Sequence, residues 1–150
     1  MNFEFSFIGL IFLVMLFAPN IVWAKNKPKD YDKYLKNENR ILSILEKIGQ
    51  VLVVCFSLFF IDINSPIWVI LAFVLMILYE IYWIRYFRSP KTMADMYTGF
   101  LGIPLAGATL PVFAFLLLGI YQNNVFLMIS TVILGIGHIG IHAGHKNELN

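Results

Sequence analysis

Three histidines near the C-terminal end, His138, His142 and His145, recur at i, i+4 and i+7, which places them on one face of a helix. Histidines four apart can converge on one ion, because adjacent helical turns bring both imidazoles to the same side. Further polar residues stand in otherwise apolar surroundings. Glu80 lies between Leu78, Tyr79, Ile81 and Tyr82, and Glu46 is followed one turn later by Gln50. A carboxylate beside imidazoles can bind a divalent metal, relay a proton or hold a small polar ligand. The metal set this suggests is His138, His142 and Glu80, and the ligand-binding set adds Glu46 and Gln50. The same groups can also do no more than hydrogen-bond one helix to another. Glu46, with Lys47 beside it, and His145, close to the tail, read equally well as solvated groups. No HExxH, CxxC or Gly-rich phosphate motif accompanies them.

The elements that carry these residues are apolar and long. The chain is 59% hydrophobic, 16% aromatic and 13% charged, against about 25% charged in ordinary soluble domains. A helix needs about 20 apolar residues to cross a hydrocarbon core. Five stretches qualify: 3–23, 41–61, 67–87, 100–121 and 125–143. They are too long and too continuously apolar for spanning β-strands. The expected fold is therefore all-α, a polytopic integral membrane bundle of about five transmembrane helices. At 1.5 Å per residue, Glu80 lies ~7 Å from Arg85, His138 ~10 Å from His145 and Glu46 ~9 Å from Arg40. Measured from the polar ends of their helices, all three share one depth. An ionisable residue in a span costs about 2.5–3.5 kcal/mol on insertion scales and normally faces a bundle interior or water.

All eleven bases fall on one side of this layout: Lys25, Lys27, Lys29, Lys33, Lys36, Arg40 and Lys47, then Arg85, Arg88 and Lys91, then Lys146. Cytoplasmic loops retain Lys and Arg, so the expected topology has the N-terminus outside and the C-terminus in the cytoplasm, in a multi-pass protein of the cell membrane. The basic loop 25–40 suits the anionic lipid headgroups of the bilayer, its natural partner. No nucleic-acid partner is indicated, and monomer and homo-oligomer both stay open. The apolar core 5–18 lacks the basic residues that precede a signal peptide, so it reads as a retained anchor helix. The single cysteine, Cys55, cannot form an intramolecular disulfide and is expected to pack in the core.

Several residues should punctuate the helices. Pro19 predicts a kink or an early stop in the first span. A helix lying at the interface is expected over 34–50 before the second span enters the bilayer. Ser65-Pro66 and Ser89-Pro90 each read as a cap followed by a first-turn proline. In the fourth span Pro104, Gly107 and Pro111 predict a helix break. Such a break can offer carbonyls to an ion or substrate, or simply allow close packing, with Thr109 placed to satisfy a freed carbonyl.

Two resemblances follow from short runs. The segments 25–31, 102–111 and 135–142 resemble stretches of small uncharacterised bacterial membrane proteins, which implies a shared five-span fold and no particular activity. The run Arg85-Tyr86-Phe87-Arg88-Ser89-Pro90, with Tyr97-Thr98-Gly99 beyond it, resembles the Arg-His-Pro-x-Tyr region of isoprenylcysteine and phospholipid methyltransferases. That likeness implies an S-adenosylmethionine enzyme acting at the cytoplasmic side. Here Ser89 stands where that pattern has histidine, the tyrosine is displaced, and no Glu-Glu segment follows the last span.

Three functions are consistent with these residues. The first is a protein that binds an ion or small polar ligand in an inner-leaflet pocket between helices, a divalent metal among the options. The second is a membrane enzyme acting on a lipid or prenyl-like substrate, and the third an accessory subunit without a site.

Overall fold

The computed structural model describes residues 2–150. Among them the chain is helical: α1 (Phe7–Ala24), α2 (Tyr31–Leu35), α3 (Arg40–Leu58), α4 (Ile67–Phe87), α5 (Met93–Tyr97), α6 (Ala106–Tyr121) and α7 (Val125–Glu148). The helices α1, α3, α4 and α7 are long and apolar enough to cross a membrane, and α6 is a shorter apolar helix of 16 residues. Outward faces carry apolar side chains. Along α4 they are Ile67, Ile70, Val74, Ile77, Ile81 and Ile84, all exposed. Facing water, such a stripe would drive aggregation; facing acyl chains it is matched to its solvent.

The core forms where aromatic and small residues interlock. Phe12 of α1, Met76 and Tyr79 of α4, and Ala114, Phe115 and Leu118 of α6 are all buried. The ring of Phe12 meets Phe73 at 4.7 Å and Phe115 at 5.9 Å, both edge-on. Helix α3 lies along α7, α4 along α6, and α6 along α7, with α1 set against the side of this group.

The two ends of the bundle differ. At one end the connections are short and stitched together. Ser6 donates its N–H to the Leu58 carbonyl, Asp62 to that of Gln122 and Asn64 to that of Tyr121. The buried Gln122 side chain donates to the Ser6 hydroxyl at 2.6 Å, and Asn124 donates to the carbonyls of Phe56 and Phe59. Asn124 thus satisfies carbonyls at the end of α3, which have no partner within the helix. The opposite end holds α2, α5 and the long polar connections. All eleven bases are carried by that end.

Several sequence expectations need correction. The fourth apolar stretch is helical only from Ala106. Residues 100–105 form a turn in which Leu101, Gly102 and Leu105 all take positive φ. Thr109 repairs the break by donating its hydroxyl to the Pro104 carbonyl at 3.0 Å and approaching that of Leu105 at 3.2 Å. Helix α1 continues past Pro19 to Ala24, so no early stop occurs. The interfacial helix expected over 34–50 is instead two pieces, because the Asn39 side chain accepts from Ile41 and Leu42 and starts α3 afresh. Ser65 does not cap α4; its own N–H is taken by Asn64 Oδ1. Nor does Ser89 begin a helix, the cap of α5 being Thr92. Cys55 is exposed on the outer face of α3 and is not part of the core.

The seam between α3 and α7 depends on glycine. A Cβ on Gly49 would meet the backbone of Leu134 at 2.5 Å. One on Gly137 would collide with the backbone N of Glu46 and come within 2.6 Å of the Leu42 carbonyl oxygen. Backbone cannot move aside as a side chain can, so Gly137→Ala should cost on the order of 1–3 kcal/mol or more. Gly144, whose Cβ would meet nothing within 4 Å, is the control; its replacement by Ala should be neutral or gain up to about 1 kcal/mol of helix propensity. Thermal unfolding of the detergent-solubilised variants separates the two, and equal melting would rule out a close-packed seam.

Candidate functional site

Helix α3 carries Glu46 and α7 carries His138, one residue from Gly137 at the point of closest approach. The seam sets the two side chains together: His138 Nδ1 lies 2.5 Å from Glu46 Oε1, with the side chains only 23% and 19% exposed. A hydrogen bond joins the imidazole and the carboxylate across the seam, an inward-facing polar pair between two apolar helices. Glu46 is therefore not the solvated partner of Lys47. The imidazole of His142 packs edge-on against that of His138, ring centres 4.5 Å apart.

A second group of side chains continues from His142. Its Nδ1 lies 2.7 Å from the hydroxyl of Tyr97, and the same hydroxyl lies 3.3 Å from Nδ1 of His145. One phenol thus stands between two imidazoles, able to donate to one and accept from the other. His145 Nε2 in turn lies 3.1 Å from Glu38 Oε1, an ion-pair distance without hydrogen-bond alignment. His145 is only 2% exposed, enclosed edge-on by the rings of Tyr31 and Tyr34, and not solvated as its place near the tail suggested. Burial raises the carboxyl of Glu38 above the usual range, and the nearby charge of Glu46 adds to the effect. Burial likewise pushes the Tyr31 phenol up to about 12 and holds Tyr97 above its ordinary value. Tyr97 is therefore a neutral hydroxyl, keeping its proton to share.

Tyr97 is positioned by α5, a helix too short to stand alone. Its first turn is held by a capping box in which Asp95 accepts from the N–H and hydroxyl of Thr92 and Thr92 Oγ1 accepts from the Asp95 N–H. Two contacts from α4 dock it: Tyr82 donates to the Met96 carbonyl at 2.6 Å and Arg85 to the Asp95 carbonyl at 3.1 Å.

Beside these groups lies a cavity of about 420 Å³, within the roughly 300–1,000 Å³ common for ligand sites. Glu46, Gln50, His138 and His142 line it, together with Gly107 and Pro111 of the interrupted helix. Gly107 is needed there because a Cβ would meet the Tyr82 ring at 2.6 Å. Pro104 is elsewhere, in a shallower apolar pocket with Ile103 and Thr109. Asn20, Trp23, Lys27, Tyr31, Tyr79 and Trp83 complete the polar and aromatic wall.

Glu80 is not part of this wall. Helix α4 turns Tyr79, Tyr82 and Trp83 inward, and Glu80, a hundred-degree step from Tyr79, points aside. Its Oε1 is buried without a hydrogen-bond partner. The set His138, His142 and Glu80 is therefore not assembled, and among the described residues no three His, Cys, Asp or Glu side chains could hold a metal ion. Sequence reading passed over Glu38, Tyr97, Tyr31, Asn20 and Lys27. Glu38 sits in a charged segment with no apolar surroundings to single it out, and no spacing marks Tyr97. Asn20, which donates to the Leu16 carbonyl and to Tyr79 Oη, did carry a signal as an amide inside an apolar span.

Comparison with known proteins finds no matching family model, no matching curated protein and no matching solved structure.

The capping box gives α5 an acid dependence of definite sign. Hydrogen bonds from Thr92 hold the Asp95 carboxyl below its ordinary value. The stabilisation is therefore fully present above the unfolded-state value, about 3.9, and is lost as pH falls through the lowered one. Thr92→Ala should cost about 1 kcal/mol and flatten this acid limb. Hydrogen exchange of the α5 amides across that range checks both; an unchanged acid limb would remove Asp95 from the support of Tyr97.

Proposed function

We propose that this chain is a multi-pass protein of the cell membrane, N-terminus outside and C-terminus cytoplasmic, that binds a small ligand in the cavity at its basic end. The orientation rests on the confinement of every Lys and Arg to that end. Binding rests on one observation: Glu46, Gln50, His138 and His142, from two helices, converge on a single cavity. Ionisable groups are costly at membrane depth unless they serve a site or a contact. Glu46 and His138 satisfy one another, while His142 spends only Nδ1 on Tyr97 and keeps Nε2 for a ligand.

Native mass spectrometry of gently solubilised protein is the test. The wild type should retain a small-molecule or ion mass that Glu46→Gln and His138→Ala each release, with melting that shows the variants still folded. A bare wild-type chain, unchanged in melting by extracts of its own membrane, would overturn the reading.

A second reading is favoured by the Tyr97 hydroxyl lying between two imidazoles. His142 would act as general base or acid on a lipid or prenyl-like substrate, with its proton shared through Tyr97 towards His145. Positioned proton transfer contributes about 10²–10⁴-fold. Once the ligand is identified, Tyr97→Phe should lower its turnover on the order of 10²-fold and leave its binding intact. Equal turnover in the two proteins would remove the relay from the chemistry.

A further inference from the structure

The cavity is polar at one end and apolar at the other, and α1, α3 and α7 agree about which end is which. On α1 the lining runs from Ala24 and Trp23 through Asn20 to Phe17 and Leu16. On α3 it runs from Glu46 through Gln50 to Val53 and Val54, and on α7 from His142 through His138 to Leu134. Helix α6 ends the series with Phe115. Eight residues separate Ala24 from Leu16 and His142 from Leu134, so the gradient extends over ~12 Å along the helix axes. A free ion or small polar solute would use only the polar half and leave the apolar half unfilled. An amphiphile fits both.

The cavity also reaches the lipid-facing surface. Phe17 is 44% exposed and Gln50 is exposed, yet both line it. Helices α1 and α3 touch closely at the stitched end, where Ser6 bonds Leu58 and Gly9 abuts the Ser57 carbonyl. Towards the basic end both line the cavity, α1 with Asn20 and Trp23 and α3 with Glu46 and Gln50. Phe17 is ten residues from Lys27, and Gln50 ten from Arg40, which places both exposed lining residues ~15 Å from the basic end, at acyl-chain depth.

Charge decides the headgroup. Glu46 is the one acid in the lining and is already paired with His138. Lys27 lines the cavity with its ammonium 5.3 Å from the Trp23 ring centre and 5.7 Å from that of Tyr31, and no carboxylate among the described residues pairs with it. Lys27 is exposed at the rim of the cavity, and resting on ring faces it fills the place a quaternary ammonium would take and presents its charge to a headgroup at the mouth. We infer that the cavity takes a membrane lipid with an anionic headgroup, admitted sideways between α1 and α3. The head lies at Lys27 and His142, and the upper part of a chain lies against Phe17, Val54 and Phe115. This rests on the binding reading above and specifies its ligand.

Tryptophan quenching tests it, since Trp23 and Trp83 line the cavity and Trp68 does not. Trp68→Phe protein is reconstituted in phosphatidylcholine vesicles containing increasing fractions of phosphatidylglycerol brominated on its acyl chains. Quenching should saturate at a low mole fraction and exceed that by brominated phosphatidylcholine. Lys27→Gln should weaken the apparent affinity about fivefold, Lys27→Arg should restore it, and Lys29→Gln, off the cavity, should leave it unchanged. Equal quenching by the two headgroups, or equal losses in Lys27→Gln and Lys29→Gln, would reduce the effect to surface attraction and overturn the inference. Relief of quenching by soluble glycerol phosphate would assign the site to a free headgroup and overturn it too. If quenching fails while native mass spectrometry still finds a ligand released by Glu46→Gln, the cavity binds something other than an anionic lipid. If both fail, the binding reading falls with it.

Discussion

The contact between α3 and α7 at Gly49 and Gly137 is the constraint from which the site follows. Two helix backbones brought this close leave no room for side chains along the line of contact. The residues flanking that line must then meet across it, and Glu46 and His138 do so. With acyl chains as solvent, no hydrophobic effect pulls one apolar helix to another, and close backbone approach with interhelical hydrogen bonding supplies the association. The seam and the histidine–carboxylate pair are thus one feature. Glycine allows the approach, the approach makes the pair, and the pair gives an inward-facing carboxylate a partner that bilayer and core would otherwise deny it.

The rest of the bundle divides around that seam into a tight end and an open one. Gln122, Asn124 and Ser6 spend their polar groups on the carbonyls and hydroxyls of neighbouring segments, so the tight end is closed by directional bonds as well as by packing. At the basic end α1 leans on α4 through Asn20 and Tyr79, and Trp23 meets Trp83. Below the polar groups that space is floored by Leu16, Val53, Val112, Phe115 and Leu134.

What the sequence made legible was set by periodicity and charge. The span 67–87 coincides with α4, because nothing inside it competes with an apolar helix. The stretch 100–121 failed at its first six residues, where Gly102 and Pro104 let the chain turn in a way hydropathy does not register. Site residues divide the same way. His138 and His142 were found from their spacing on one helix, and Glu46 and Gln50 from one turn of another. Which acid meets the histidines is a matter of helix rotation, a tertiary quantity. Glu80 and Glu46 share a depth, but only Glu46 faces α7. Tyr97 and Glu38 lie on short segments whose placement depends on caps and docking contacts, so no period carried them.

A cavity with a polar mouth and an apolar floor also limits what the protein can do with a ligand. Passage from face to face would need free polar partners along the whole route, and beyond Val53 and Leu134 the buried hydroxyls of Ser57, Ser130 and Thr131 are spent on carbonyls of their own helices. Opening the far end would break the bonds of Gln122 and Asn124 together, leaving several buried polar groups without partners at about 1–3 kcal/mol each. On the binding reading proposed above, a ligand entering here would leave by the same side. That favours holding, presenting or modifying a molecule at one leaflet over carrying it across. It also fits the placing of Glu46, Gln50, His138 and His142 within about three turns of the basic ends of their helices.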